Sequence, residues 1–216
     1  MEFLYNSFIK LYLSSYKIGD NPQLLADLVG SNKKIAIIPN ALDVYTDIAR
    51  RGASLQREKD CLIQIGLQPE ELDLRKYFGK QKELISKMNE YGAVWVLGGN
   101  TFVLRRAYKE SGLDIWLQEH KNNKEFVYAG YSAGVCVLSP ELKGLEIVDQ
   151  PNNVPEGYRE EVIWQGVGLI DFAFAPHYKS PGHPETEMVD KEVEHYKKIG
   201  IKYKTLHDGE VIIMEI

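Results

Sequence analysis

The segment Phe126–Pro140, FVYAGYSAGVCVLSP, sets one serine between small residues at the end of an apolar run. Its centre, Gly130–Gly134, fits the pattern G-x-S-x-G, in which a nucleophilic serine rides a sharp strand-to-helix turn. Such a turn leaves no room for bulk two residues before or after the serine, and Gly130 and Gly134 meet that demand. Ser132 is therefore a candidate nucleophile, and the backbone amide of Ala133 a candidate oxyanion donor. A structural serine in a glycine-rich turn is the alternative that the pentapeptide alone leaves open.

A nucleophilic serine needs a base, and the chain offers five histidines. His120 and His195 sit on charged helical segments and read as solvated. His207 adjoins the Asp208-Gly209 turn, and His183 lies in the loop SPGHPE, as a lid or substrate contact. His177 follows DFAFAP, just beyond a predicted buried strand, at the sheet edge where α/β sites assemble. It is the candidate base, and the order serine then histidine suits a triad of the α/β-hydrolase type. A second glycine turn, VLGGNTF, lets Gly98 or Gly99 supply another oxyanion donor. Asn100 is the substrate-binding candidate beside it, and Asn100 or Thr101 caps the following helix. The turn lacks both the third glycine of GxGxxG and the GK[ST] of a phosphate-binding loop, so phosphate cradling is the weaker reading.

The elements that must position these groups alternate along the chain. KLYLSSY, KKIAIIPNA, AVWVLGG, EFVYAGY and VGLIDFAFAPH read as strands, with a short one around Glu71 to Leu74. NPQLLADLVG, the stretch from Asp43 to Gly66, KQKELISKMNEYG, NTFVLRRAYKESG, LDIWLQEHKNNK and ETEMVDKEVEHYKKIG read as helices. The end, YKTLHDGEVIIMEI, reads as a hairpin around Asp208-Gly209. This alternation predicts a three-layer α/β/α sandwich on a mostly parallel sheet with a C-terminal β-hairpin, one domain over 1–216. Pro140 to Gly166 is the one long segment without clear periodicity, and loops of that size are often functional.

Composition narrows the classes. With 44% hydrophobic and 26% charged residues, the 216-residue chain matches an ordinary soluble globular protein. A net charge of -5 with scattered Lys and Arg argues against nucleic acid. No uncharged run reaches the ~18 residues of a membrane span, and the N-terminus lacks a basic region and a cleavage site. Cys61 and Cys136 are far apart in apolar contexts and read as reduced and buried, which suits the cytoplasm.

VWVLGGNTFVLRRAYKESGL, YAGYSAGVCVLSP and GLIDFAFAPHY, in this order and spacing, resemble the serine peptidase family of dipeptidase E (alpha-aspartyl dipeptidase), to which cyanophycinase is related. The resemblance runs from about Lys10 to the C-terminus. It implies a fold like class I glutamine amidotransferases, with serine in place of their cysteine, and no metal or organic cofactor. It implies Ser132 as nucleophile, His177 as base, and Ala133 with the Gly98-Gly99 turn as oxyanion donors. For the acid that orients the base it points to the loop after the elbow, where Asp149 is favoured and Glu146 is close, or to Asp208. Aspartyl-specific members carry an arginine where this chain has Glu187 in GHPETE. A carboxylate there repels an acidic side chain, so strict Asp-X specificity is not expected unless Arg105, Arg106 or Arg159 substitutes.

The expected partner is a small peptide, with no nucleic acid or membrane, on a monomer or homodimer. An esterase or amidase of non-peptide molecules, and a non-catalytic amidotransferase-like regulator, are the competing classes. An amidotransferase proper needs a cysteine at the elbow, and Cys136 lies one helical turn further on, where it reads as core.

Overall fold

The computed structural model describes residues 9–216; the first eight, at the N-terminus read above as carrying no leader, lie outside the described residues. Strands β1 (Lys10–Ser14), β2 (Lys34–Ile38), β3 (Gln68–Glu71), β4 (Ala93–Val96) and β5 (Val127–Tyr131) are parallel neighbours in the order β3-β2-β4-β5-β1. The last strand, β8 (Val211–Glu215), closes the edge antiparallel to β1, while β6 (Ala173–Ala175) and β7 (Tyr203–Thr205) form a separate parallel pair.

The central strands are apolar on both faces because both faces are covered, as a parallel sheet requires. Successive side chains point to opposite sides. Leu11, Leu13, Ala36, Ile38, Val94, Val96 and Tyr128 therefore share one core, and Tyr12, Ile35, Ile37, Trp95, Leu97 and Ala129 the other. Helices α3 (Gln81–Met88), α4 (Thr101–Ser111), α5 (Leu113–Glu119) and α6 (Ala133–Cys136) cover the first face. The second is covered by α1 (Gln23–Leu28) through Leu25 and by α2 (Ile48–Gln64) through Leu55 and Leu62. Helix α7 (Thr186–Ile199) packs Val189 and Val193 on Ala175 of β6. The result is the expected α/β/α sandwich.

Four expectations need correction. The terminal segment does turn back at Asp208-Gly209, with Gly209 at φ 95°. Its two arms do not pair as a hairpin, however: β7 joins β6 and β8 joins β1. The edge of β1 offers unpaired backbone, and Ile212 and Met214 of β8 pack onto the main core there. Strand β6 is three residues long and lies outside the main sheet, and β3 begins at Gln68, three residues before the predicted start. Cys136 is buried as expected, but Cys61 is exposed on α2.

The glycines at the elbow are fixed by contact. A Cβ on Gly134 would stand 2.4 Å from the carbonyl oxygen of Val96, on the neighbouring strand β4. Neither that strand nor the short helix can yield cheaply. Gly52, in α2, has nothing within 4 Å of its Cβ position. Gly134→Ala is expected to lower stability by about 2 kcal/mol or more through overpacking. Gly52→Ala is expected to raise it by about 0.5 kcal/mol through helix propensity. Urea unfolding of the two variants checks the pair.

Candidate active site

Ser132 stands between β5 and α6 at φ 49° and ψ -119°, a backbone state that residues with a Cβ rarely adopt. It persists because the surroundings hold it. The Ser132 amide donates to Ser14 O at the end of β1 (3.3 Å), and its carbonyl accepts from the amides of Val135 and Cys136 (2.8 and 2.9 Å). Beneath, a Cβ on Gly130 would meet Val96 O at 3.0 Å, so the turn sits directly on β4. Strain of this kind costs about 1–3 kcal/mol and clusters where a side chain must be aimed.

His177 follows β6 and also has a positive φ, 59°. Its amide donates to Ser15 Oγ (2.8 Å), and its carbonyl accepts from Thr186 Oγ1 (3.0 Å). The imidazole is 2% exposed and joins Asp208 Oδ1 through Nδ1 at 2.6 Å. Asp208 lies between β7 and β8. Its carboxylate also accepts from Ser15 Oγ (3.1 Å), and its amide donates to Ser180 Oγ (2.8 Å). A carboxylate at Nδ1 holds the proton there and leaves Nε2 as a free acceptor. Burial drives the imidazole pKa down to about 4 against the opposing pull of Asp208, so the ring is neutral at physiological pH.

Ser132, His177 and Asp208 line one cavity of about 470 Å³, together with Gly98, Gly99 and Tyr131. Gly98 presses on the elbow: a Cβ there would stand 2.8 Å from the Tyr131 ring and 3.1 Å from Ser132 Cβ. Gly99, at φ 142°, backs onto Ala41 O. Across the cavity His183 stacks on His177, ring centroids 3.7 Å apart and planes within 4°, with Tyr16 edge-on to both.

Other sequence candidates have different work. Asp149 makes no bond to His177; its carboxylate accepts from Thr101 N (2.7 Å) at the start of α4, and burial raises its pKa to about 6. Glu146 bonds the amide of Gly144. Asn100 spends both ends of its amide, accepting from Val103 N as a helix cap and donating to Gln150 O. Arg105 and Arg106 bind carbonyls of the 150–165 loop, and Arg159 pairs with Glu110 at the surface; none lines the Ser132 cavity. Glu187 is exposed on the first turn of α7, and it is Glu185 that borders the cavity.

Two contributors had no sequence signal. Arg51 of α2 lines the cavity while paired with Asp43 (3.2 Å) and Glu71 (3.4 Å). Ser15 ties the backbone of His177 to the carboxylate of Asp208.

The fold is shared with solved structures. A candidate peptidase E protein from Listeria monocytogenes superposes with a TM-score of 0.71 at 23% identity, covering 97% of this chain and 100% of that one. A peptidase from an acI-B1 Actinobacterium gives 0.69 at 14% identity, covering 97% and 84%. By sequence, an uncharacterized peptidase of Pasteurella multocida is 29% identical over 194 residues, covering 87% of this chain and 84% of the relative. Another, from Listeria monocytogenes, is 30% identical over 139 residues, covering 64% and 63%. Architecture and relatives thus mark a peptidase built on the α/β/α sandwich. The family model of peptidase family S51 matches residues 14–215, and the chain belongs to that family. No helix among the described residues is long and apolar enough to cross a membrane.

Behind Ser132, Glu192 of α7 is fully buried and bonded to the Tyr196 hydroxyl, and burial raises its pKa to about 8 from an ordinary 4.5. Between these values the folded chain holds a proton that the unfolded chain has released. The stabilisation is complete below about 4.5 and is lost as pH rises through about 8. Glu192→Gln, neutral at every pH, is expected to flatten this part of the stability profile between pH 5 and 8. Thermal unfolding of wild type and variant across that window checks it.

Proposed function

We propose that the chain is a serine peptidase of small peptides in which Ser132 attacks, His177 is the base and Asp208 orients the base. The observation that carries this is the His177–Asp208 bond, which leaves Nε2 unprotonated in the cavity that Ser132 also lines. In this reading the Ser132 hydroxyl adds to the scissile carbonyl carbon as its proton passes to His177 Nε2. Asp208 steadies the imidazolium so formed without taking the proton. The amides of Ala133 and Gly99 face the carbonyl oxygen as it becomes an oxyanion, each worth about 3 kcal/mol. The imidazolium then protonates the departing amine as the C–N bond breaks, leaving an acyl-serine. Water, deprotonated by the same nitrogen, releases the acid and restores the hydroxyl.

Small peptides suit the cavity, whose 470 Å³ lies in the range of small-molecule pockets. Strict selection of an acidic side chain is not supported. Arg51, a cation at the wall, is already paired with Asp43 and Glu71, and Glu185 adds a carboxylate nearby. Neutral N-terminal residues are the favoured substrates.

Ser132→Ala is expected to abolish both dipeptide hydrolysis and fluorophosphonate labelling while leaving the circular dichroism spectrum unchanged. Persisting hydrolysis in that variant rejects the serine as nucleophile. In wild type, the acid limb of kcat/KM is expected near pH 4 rather than 6.5, because the base stays neutral down to that point. A dipeptide panel with neutral and acidic N-terminal residues, run beside aryl esters, tests the substrate class.

A further inference from the structure

His177, His183 and Glu185 each present a ligand atom, and these three atoms lie within 4.8 Å of one another. All three residues line the Ser132 cavity. We infer that they form an inhibitory site for a divalent zinc-like cation, held by His177 Nε2, a His183 ring nitrogen and a Glu185 carboxylate oxygen. Two imidazoles and one carboxylate with a fourth position open is a donor set that Zn²⁺ takes readily.

One feature beyond the cluster points the same way. The histidine that ligates a metal commonly donates its other ring N–H to a carboxylate, which fixes the ring. His177 has that arrangement, with Asp208 at Nδ1 (2.6 Å). The His183 ring is stacked face to face on His177 at 3.7 Å. Parallel rings do not aim their lone pairs at one point, so binding requires the two to splay. Among the described residues, the only hydrogen bond on the His183 ring is long, 3.3 Å from the Glu185 amide to Nδ1. The loop that carries both ligands includes Gly182, with nothing within 4 Å of its Cβ position, so the adjustment meets no packed neighbour there.

The consequence rests on the reading of His177 as base. A cation on Nε2 occupies the lone pair that would accept the Ser132 proton, and the serine is then not activated. No bond to substrate forms or breaks in this step. The cation exchanges with solvent, and a chelator reverses it.

The test separates the site from the base assignment. The full-length chain, stripped with a chelator and dialysed, is titrated with Zn²⁺ by calorimetry and with Co²⁺ by absorption spectroscopy. One site is expected in wild type and in Ser132→Ala, and a loss of affinity of about tenfold or more in both His183→Ala and Glu185→Gln. Two separate ligand variants keep the result readable if one of them folds poorly. The rate of Ser132 labelling by a fluorophosphonate is then followed against Zn²⁺. It is expected to fall in wild type, to recover with chelator, and to require at least about tenfold more Zn²⁺ in His183→Ala. No binding in wild type, or equal binding and equal inhibition in the two ligand variants, overturns the site. Binding that follows the ligand variants without slowing the labelling leaves the site standing and rejects His177 as the base.

Discussion

The bond between His177 Nδ1 and Asp208 is the constraint around which the site is organised. The two residues come from separate segments, one after β6 and one between β7 and β8, and neither segment has a rigid element at the point of contact. What brings them together is the end of β1. Ser15 receives the His177 amide and donates to the Asp208 carboxylate, while its neighbour Ser14 receives the Ser132 amide. One short strand end thus fixes the elbow, the imidazole and the acid. The antiparallel strand β8 is what carries Asp208 back to β1, so closing the sheet edge and completing the site are one structural event.

Burial then sets the chemistry. A half-exposed imidazole would be partly protonated near neutrality, but here loss of water outweighs the nearby carboxylate and the ring stays neutral. Burial acts with the opposite sign on Glu192 and Asp149 behind the serine, where it favours the protonated carboxyl. The region around Ser132 therefore carries less charge than its formula suggests. That suits the proposed activation of Ser132 by a neutral base.

That Ser132 and His177 meet at one cavity was legible in the sequence because each lies next to a local signal: tight glycines after an apolar run, and a histidine just past a buried strand. The layers of the sandwich were legible for a similar reason, since strands such as KKIAII are apolar at every position only when both faces are covered. The acid was not. Asp149 and Asp208 are both acids in loops, and their roles depend on which loop the far edge of the sheet draws to β1. Asp149 was drawn instead to the first amide of α4. The terminal hairpin failed in the same way: Asp208-Gly209 encodes a turn, but pairing partners are chosen by the edges available in the finished sheet. Arg105 and Arg106, candidates to substitute for the arginine missing at Glu187, serve as anchors for the loop that follows the elbow, a role set wholly by tertiary contact.

The most direct test compares two conservative changes, Asp208→Asn and Asp149→Asn, by the rate at which a fluorophosphonate labels Ser132. If the carboxylate at Nδ1 orients the base, the first change slows labelling by about three orders of magnitude or more, and the second leaves it within a few-fold of wild type. Rapid labelling in Asp208→Asn together with its collapse in Asp149→Asn would contradict the account.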